Sequence, residues 1–255
     1  MWRPRIIPCL LLKNKGLVKT VRFKDPTYIG DPINAVKIFN DKQADELVFL
    51  DITATSENRT ISLDLVRKLS DECFMPFAVG GGFNKIGQIK NAFKFGAEKV
   101  CINSAAITNT DLIKEASKIF GNQSIIACMD VKKNLFGKYQ VHTHAGTKNT
   151  KLDPVQIALE LEKAGAGEIF LNSVDKDGTM QGYDIELIKR VAQKVNVPLI
   201  ACGGAGTLTH FVDAVKLGKA SAVAAGSMFV FHGRRRAVLI TYPTNEEIRA
   251  IRWNV

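Results

Sequence analysis

Pro76-Phe-Ala-Val-Gly-Gly-Gly82 recurs 122 residues later as Pro198-Leu-Ile-Ala-Cys-Gly-Gly204: a proline, a short apolar run, then paired glycines. Each copy reads as a buried strand that stops at a glycine turn. The same offset relates Glu46-Leu-Val-Phe-Leu50 to Glu168-Ile-Phe-Leu-Asn172, and Gly96 with the run at Lys99 to Gly218 with the run at Ser221. Cys9-Leu-Leu-Leu-Lys13 matches Cys128-Met-Asp-Val-Lys132 at the nearby offset of 119. Matches that share one offset mark an internal repeat, so two four-stranded halves in tandem are expected.

Strands are expected at Ile6–Leu12, Glu46–Ile52, Phe77–Gly80, Lys99–Ile102, Ile125–Val131, Glu168–Ser173, Leu199–Cys202 and Ser221–Ala224. Helical periodicity falls between them, near Pro32–Lys42, Leu63–Ser70, Ile86–Phe95, Leu112–Phe120, Pro154–Ala164, Ile185–Val195 and Phe211–Leu217. Strands alternating with helices predict a parallel sheet. At 255 residues the α/β fold that fits is a single (β/α)8 TIM barrel, which typically takes about 250. Its half-barrels are expected at about 1–120 and 121–232, followed by a short C-terminal extension at 233–255.

The composition is 46% hydrophobic and 24% charged, with 20 glycines and 8 prolines. Those values exclude a disordered, collagen-like or disulfide-scaffold chain. The early apolar run Ile6–Leu12 is about a third of a membrane span, and no cleavable export signal follows the N-terminus. A cytoplasmic location without a membrane partner is therefore expected. The five cysteines (Cys9, Cys73, Cys101, Cys128, Cys202) form no C-x-x-C pair and read as reduced thiols. No metal site and no cofactor is expected. The net charge of +10 favours an anionic partner.

The C-terminal strand ends form the active face of such a barrel. Gly81 and Gly82 stand there after the third strand, and Gly203 and Gly204 after the seventh. Each pair is joined by a small polar turn after the next strand, Asn103-Ser104 and Gly226-Ser227. Glycine lets backbone N–H groups approach a phosphate. Two such sites imply a small-molecule substrate with two separated anionic groups, and tight-turn geometry is the plainer alternative. Asp51, Asp130, Asp175 and Asp177 share that face. Asp130 ends an apolar strand, where a carboxylate needs a function or a partner; it reads as a general acid/base or as an ion pair with a nearby lysine. Leu11 holds the matching position in the first half. Lys13, Lys19, Arg22 and Lys24 crowd the segment after strand one, read as a basic loop that closes over an anion or is simply solvated. On the opposite rim, Arg5, Glu46, Lys99 and Glu168 begin four strands. They form either a gate or a structural ion-pair layer.

These motifs resemble the cyclase subunit of imidazole glycerol phosphate synthase (HisF) to about residue 232. The resemblance rests on Arg5-Ile-Ile, Cys9-Leu, Asp45-Glu-Leu-Val-Phe-Leu-Asp-Ile-Thr-Ala54, Val79-Gly-Gly-Gly82, Asp130, Gly165-Ala-Gly-Glu168, Asp177-Gly-Thr179, Gly182-Tyr-Asp184 and Gly203-Gly-Ala-Gly206. It implies a HisH-type glutaminase docked on the strand-start rim as a heterodimer, with ammonia passing up the barrel. It also implies that Arg5, Glu46, Lys99 and Glu168 are the charged ammonia gate. Asp130 falls on one of the family's two catalytic aspartates, and Lys19, Asp51 and Asp177 are expected to contact substrate.

Two features depart from the family pattern. Leu11 stands where the strand-one motif Cys-Leu-Asp-Val-Lys carries the other catalytic aspartate, and the segment Phe231-His-Gly-Arg-Arg-Arg-Ala-Val-Leu-Ile-Thr-Tyr-Pro243 differs from the family's usual last helix. The chain looks like a paralogous branch found with bacterial surface-polysaccharide genes, where ammonia reaches a sugar amidotransferase that builds an amidine on a nucleotide-linked sugar. The rival readings are a working histidine-pathway cyclase that recruits Asp51 or Asp177 and a non-catalytic basic barrel on nucleic acid. Against the last, aromatics are only 8% and the glycine turns lack interleaved stacking residues, so no nucleic-acid partner is expected.

Overall fold

The computed structural model describes residues 3–233, 235–251 and 253; residues 234, 252, 254 and 255 of the expected extension lie outside them. In chain order the elements begin with β1 (Arg5–Lys13), β2 (Gly16–Val21), β3 (Lys24–Gly30), α1 (Pro32–Asp41), β4 (Leu47–Asp51), α2 (Leu63–Glu72), β5 (Phe77–Gly80) and α3 (Ile86–Lys94). They continue with β6 (Lys99–Ile102), α4 (Ser104–Thr108), α5 (Thr110–Phe120), β7 (Ile125–Lys133), β8 (Tyr139–Thr143), β9 (Lys148–Asn149), α6 (Pro154–Lys163) and β10 (Glu168–Ser173). The last are α7 (Ile185–Ala192), β11 (Leu199–Cys202), α8 (Leu208–Lys216), β12 (Ala222–Ala225), α9 (Ser227–Val230), β13 (Phe231–His232), β14 (Ala237–Val238) and α10 (Asn245–Ala250).

Eight parallel strands close into a barrel in the order β1, β4, β5, β6, β7, β10, β11, β12, with β12 pairing back onto β1. This is the expected (β/α)8 barrel, and each of its strands lies close to the bounds read from the apolar runs. The helices start where the sequence supplies a cap. Asp31 accepts from the Asn34 amide ahead of Pro32 in α1, and Asp153 does the same for Val155 and Gln156 ahead of Pro154 in α6. Helix faces such as Val36 and Phe39 of α1, or Leu187, Ile188 and Val191 of α7, pack onto the outside of the sheet. A smaller cluster fills the barrel interior, with Ile7, Val48, Ala78, Ile126, Phe170 and Ile200 among its members. No helix among the described residues is long and apolar enough to cross a membrane.

Two regions differ from the sequence reading. The segment after strand one is not a loop: β2 pairs antiparallel with β1 and β3, and β8 and β9 extend β7 in the same way. Both β1 and β7 run nine residues, longer than the other barrel strands, so they overshoot the rim and keep pairing beyond it. The second difference follows β12. The chain forms α9 and the β13–β14 hairpin, then returns along the barrel wall as an extended strap. Tyr242 of this strap is buried against Phe39 and Phe229, with ring centroids 6.4 and 5.4 Å away. Its hydroxyl donates to the Ile6 carbonyl at 2.9 Å.

Gly82 shows how tightly the glycine turns are built. Its φ is +70°, and a Cβ there would lie 1.8 Å from the Arg59 carbonyl oxygen. A side chain must displace the loop that Asp51 organises. Gly82→Ala is therefore expected to destabilise the fold by at least about 1 kcal/mol, read as a lower melting temperature. An unchanged melt would show that the Arg59 loop yields freely.

Candidate functional site

The C-terminal strand ends surround a cavity of about 570 Å³, within the range of small-molecule sites. Its walls include Lys19, Asp51, Gly81, Gly82, Asn103, Ser104, Asp130, Asp177, Gly203, Gly204, Gly226 and Ser227, but not Asp175, which instead accepts from the Lys133 amide. The glycine turns sit on two sides of it. The Gly81 carbonyl accepts from the Ile61 amide and the Gly204 carbonyl from the Gly182 amide, so both oxygens are engaged within their loops.

Asp130 is buried at the cavity floor on β7. The Asn103 Nδ2 donates to its Oδ2 at 2.8 Å, and the Asn172 Nδ2 lies 3.4 Å from its Oδ1. No lysine pairs with it among the described residues, so the ion-pair reading does not hold. Burial pushes its carboxyl up to about 7, the Asp177 charge adds to the rise, and the two amides pull against it. A carboxyl half-protonated near neutral pH can donate or accept a proton. Leu11 also lines the cavity, on β1. With β1 and β7 four strands apart in an eight-stranded ring, an apolar side chain faces Asp130 across the barrel mouth.

The other two acids on the cavity wall already have cationic partners. Asp51 receives Arg59 Nη1 at 2.5 Å and the Thr53 and Ala54 amides at 3.1 Å each. Asp177 accepts from Thr20 Oγ1 at 3.0 Å and faces Lys19 Nζ at 3.4 Å, with both ion-pair partners buried. Lys19 comes from β2 rather than from a loop. Burial alone would depress its ammonium, but Asp177 outweighs burial and holds it above the usual value. Gly226 leaves room for it: a Cβ there would lie 2.7 Å from Lys19 Nζ and 3.0 Å from the Cys9 carbonyl oxygen.

Cys9, Cys101, Cys128 and Cys202 belong to the inner-barrel cluster, line the inner part of the cavity and are buried as free thiols, while Cys73 is half-buried outside it. The Cys128 thiol is pushed well up by hydrogen bonding with Cys101 and by burial, and Cys202 likewise by Cys9. At the far rim, Arg5, Glu46, Lys99 and Glu168 form a closed ring. Arg5 pairs with both glutamates, and Lys99 Nζ lies 2.9 Å from Glu46 and 2.7 Å from Glu168. Burial would raise the Glu168 carboxyl, but Arg5 and Lys99 hold it below the usual range.

Sequence reading missed two side chains that line the cavity, Asn172 and Arg59, and a third, Arg236, that touches residues of its wall. Asn172 had a signal, because the repeat aligns it with Leu50 and an amide replacing leucine on an inner strand needs a reason. Arg59 lies in an irregular loop and had none. Arg236 belongs to a basic run whose position the sequence did not reveal; its Nη2 donates to the Gly178 carbonyl at 3.1 Å and lies 3.4 Å from Ser227 Oγ.

A family profile described as histidine biosynthesis protein matches residues 5–235. A chain of Pseudomonas aeruginosa, provisionally named imidazole glycerol phosphate synthase subunit hisF2, is 49% identical over 243 residues, covering 95% of this chain and 97% of the relative. A provisionally named HisF subunit of Leptospira borgpetersenii is 44% identical over 252 residues, 98% of this chain and 99% of the relative. Imidazole glycerol phosphate synthase subunit HisF of Alkaliphilus metalliredigens is 45% identical over 228 residues, 89% and 90% of the two chains.

Proposed function

The chain belongs to the histidine biosynthesis protein family as a HisF-type barrel subunit, and from that premise we propose that it receives ammonia from a HisH-type glutaminase and supports amination at its phosphate-binding face. The setting is amidino-sugar formation for a surface polysaccharide, with a sugar amidotransferase as a further partner. One observation carries this reading. Of the three acids on the cavity wall, Asp51 and Asp177 are bound to cations, which leaves Asp130 facing Leu11. A ring closure that needs two positioned acid/base groups has only one. The apolar inner barrel between the ion-pair ring and the cavity suits neutral ammonia, because it offers an ammonium ion little to replace hydration.

The alternative is a working cyclase of histidine biosynthesis, and the Asp130 carboxyl near 7 favours it, since one group could serve as both acid and base. An assay fed with ammonium salt and the family's bisphosphate substrate separates the two. Little ring closure supports the sugar pathway, and rapid closure overturns it.

The rim ring gives a second test. Lys99→Ala is expected to impair glutamine-driven synthesis more than ammonium-fed synthesis. It leaves Glu46 and Glu168 sharing Arg5, and breaking such a buried pair typically costs about 3–5 kcal/mol, so melting is measured alongside. Equal losses with both nitrogen sources would reduce the ring to a structural layer.

A further inference from the structure

We propose that the ribbon formed by β7, β8 and β9 is the docking surface for the enzyme that accepts the ammonia, a sugar amidotransferase whose matching face is acidic around an apolar pocket. The inference rests on the reading above that ammonia leaves this barrel for such an enzyme, and it names where that partner sits.

The tip of the ribbon carries two large apolar side chains in succession: Leu135 is fully exposed and Phe136 is 89% exposed. Scattered single hydrophobes are ordinary on a surface. The turn itself is made by Asn134, whose Oδ1 accepts from the Phe136 amide at 2.9 Å and the Lys138 amide at 3.0 Å, so its geometry calls for neither leucine nor phenylalanine. Nor is the tip slack. The Asn134 amide donates to the Lys138 carbonyl at 2.9 Å, the Lys133 amide to Asp175 at 2.8 Å, and the Tyr139 hydroxyl to Asp184 at 2.8 Å. The apolar pair is held in place before a partner arrives. That reduces the entropy lost on docking and is what an interface anchor requires.

Charge selects the occupant. Lys132, Lys138, Lys148 and Lys151 are exposed, and no aspartate or glutamate occurs from 131 to 152. Among the described residues the ribbon's ion pair is Lys133 with Glu186, which ties it to α7 and leaves those four lysines unmatched. A second copy of this chain would set lysines against lysines, whereas an acidic face complements them and is steered onto the tip.

Position selects the role. The turn between β8 and β9 puts His144 and Ala145 on the cavity wall, so one ribbon reaches from the mouth to the apolar tip. Leu135 follows Asp130 by roughly 15 Å of extended chain. A partner seated on the tip therefore lies beside the mouth from which ammonia emerges, and the strand-start rim stays free for the glutaminase.

The experiment uses the full chain with its glutaminase and the purified sugar amidotransferase encoded in the same polysaccharide gene cluster. Affinity is measured by surface plasmon resonance at low and high salt, and amidine formation is followed with glutamine or ammonium salt as nitrogen source. Leu135→Asp combined with Phe136→Asp should weaken the complex by about tenfold or more and slow glutamine-driven amidine formation. Ammonium-fed formation, which bypasses the barrel, and glutaminase binding should be unchanged. Lys138→Glu should slow association, chiefly at low salt. Ile119→Asp, at an exposed apolar site on α5, should change nothing. Circular-dichroism melts confirm that the variants are folded. Unchanged affinity in the double variant would overturn the docking surface and leave the sugar-pathway reading standing. A dimer of the unmodified chain that becomes a monomer in the double variant would overturn it too, by making the tip a self-interface. No binding of the amidotransferase by the unmodified chain would overturn the inference, and rapid ring closure of the bisphosphate substrate would overturn the reading beneath it as well.

Discussion

Replacing Leu11 by aspartate is expected to raise ammonium-fed ring closure of the family's bisphosphate substrate by about 10²-fold or more, since a positioned acid/base is typically worth about 10²–10⁴ in rate. The position already lines the cavity opposite Asp130, so the carboxylate would arrive on the correct face. It would enter an apolar setting, because Leu11 is buried in the inner cluster with Cys9, Val18 and Leu50. Desolvation then raises the new carboxyl above its ordinary range, and activity should climb with pH until that group ionises. Some stability is lost as well, on the order of a few kcal/mol for a polar group buried without full compensation. The anion sites are untouched, so phosphate affinity should survive while turnover changes. Ammonium salt is the nitrogen source in this comparison, because a mismatched glutaminase would block the supply for an unrelated reason. Fast ring closure by the unmodified chain, with no gain from Leu11→Asp, would restore the histidine-pathway reading.

Asp130→Asn should move activity and stability in opposite directions. Turnover should fall by about 10²–10⁴, because the remaining cavity acids are tied to Arg59 and Lys19. The fold should become more stable above neutral pH. The Asp130 carboxyl titrates near 7 in the folded chain against an ordinary value of 3.8, with burial as the largest cause. The folded state thus holds the proton more tightly than the unfolded state. That contribution to stability is complete below pH 3.8 and is lost as pH rises through about 7. At pH 8 the buried charge costs on the order of 4 kcal/mol, and asparagine keeps the shape without the charge. Denaturant titrations at pH 5 and pH 8 should therefore show a larger gain for the variant at pH 8. A variant less stable than the parent at pH 8 would make Asp130 a structural group.

Much of the barrel was legible because its signals are local. An apolar run bounded by glycine or aspartate marks a strand wherever it lies, and helical periodicity between such runs calls for a parallel sheet. The rim charges were legible for the same reason: Arg5, Lys99 and Glu168 each open a strand, Glu46 immediately precedes one, and parallel strands bring their starts to one rim. The strap between β14 and α10 was not legible. Its anchor is Tyr242 on the Ile6 carbonyl, a bond between the two ends of the chain with no counterpart in periodicity.

The barrel, the face on which the glycine turns and acids gather, and the leucine at position 11 can all be read from the order of residues. Which of the cavity acids is free depends on the fold. Asp51 is neutralised by Arg59 across an irregular loop and Asp177 by Lys19 from a ribbon 158 residues away, while Asp130 is held by two uncharged amides. Burial and ion pairing depend on what surrounds a carboxylate in three dimensions, and neighbours distant in the chain supply that environment. The same sequence letter therefore gives two saturated acids and one poised near neutrality.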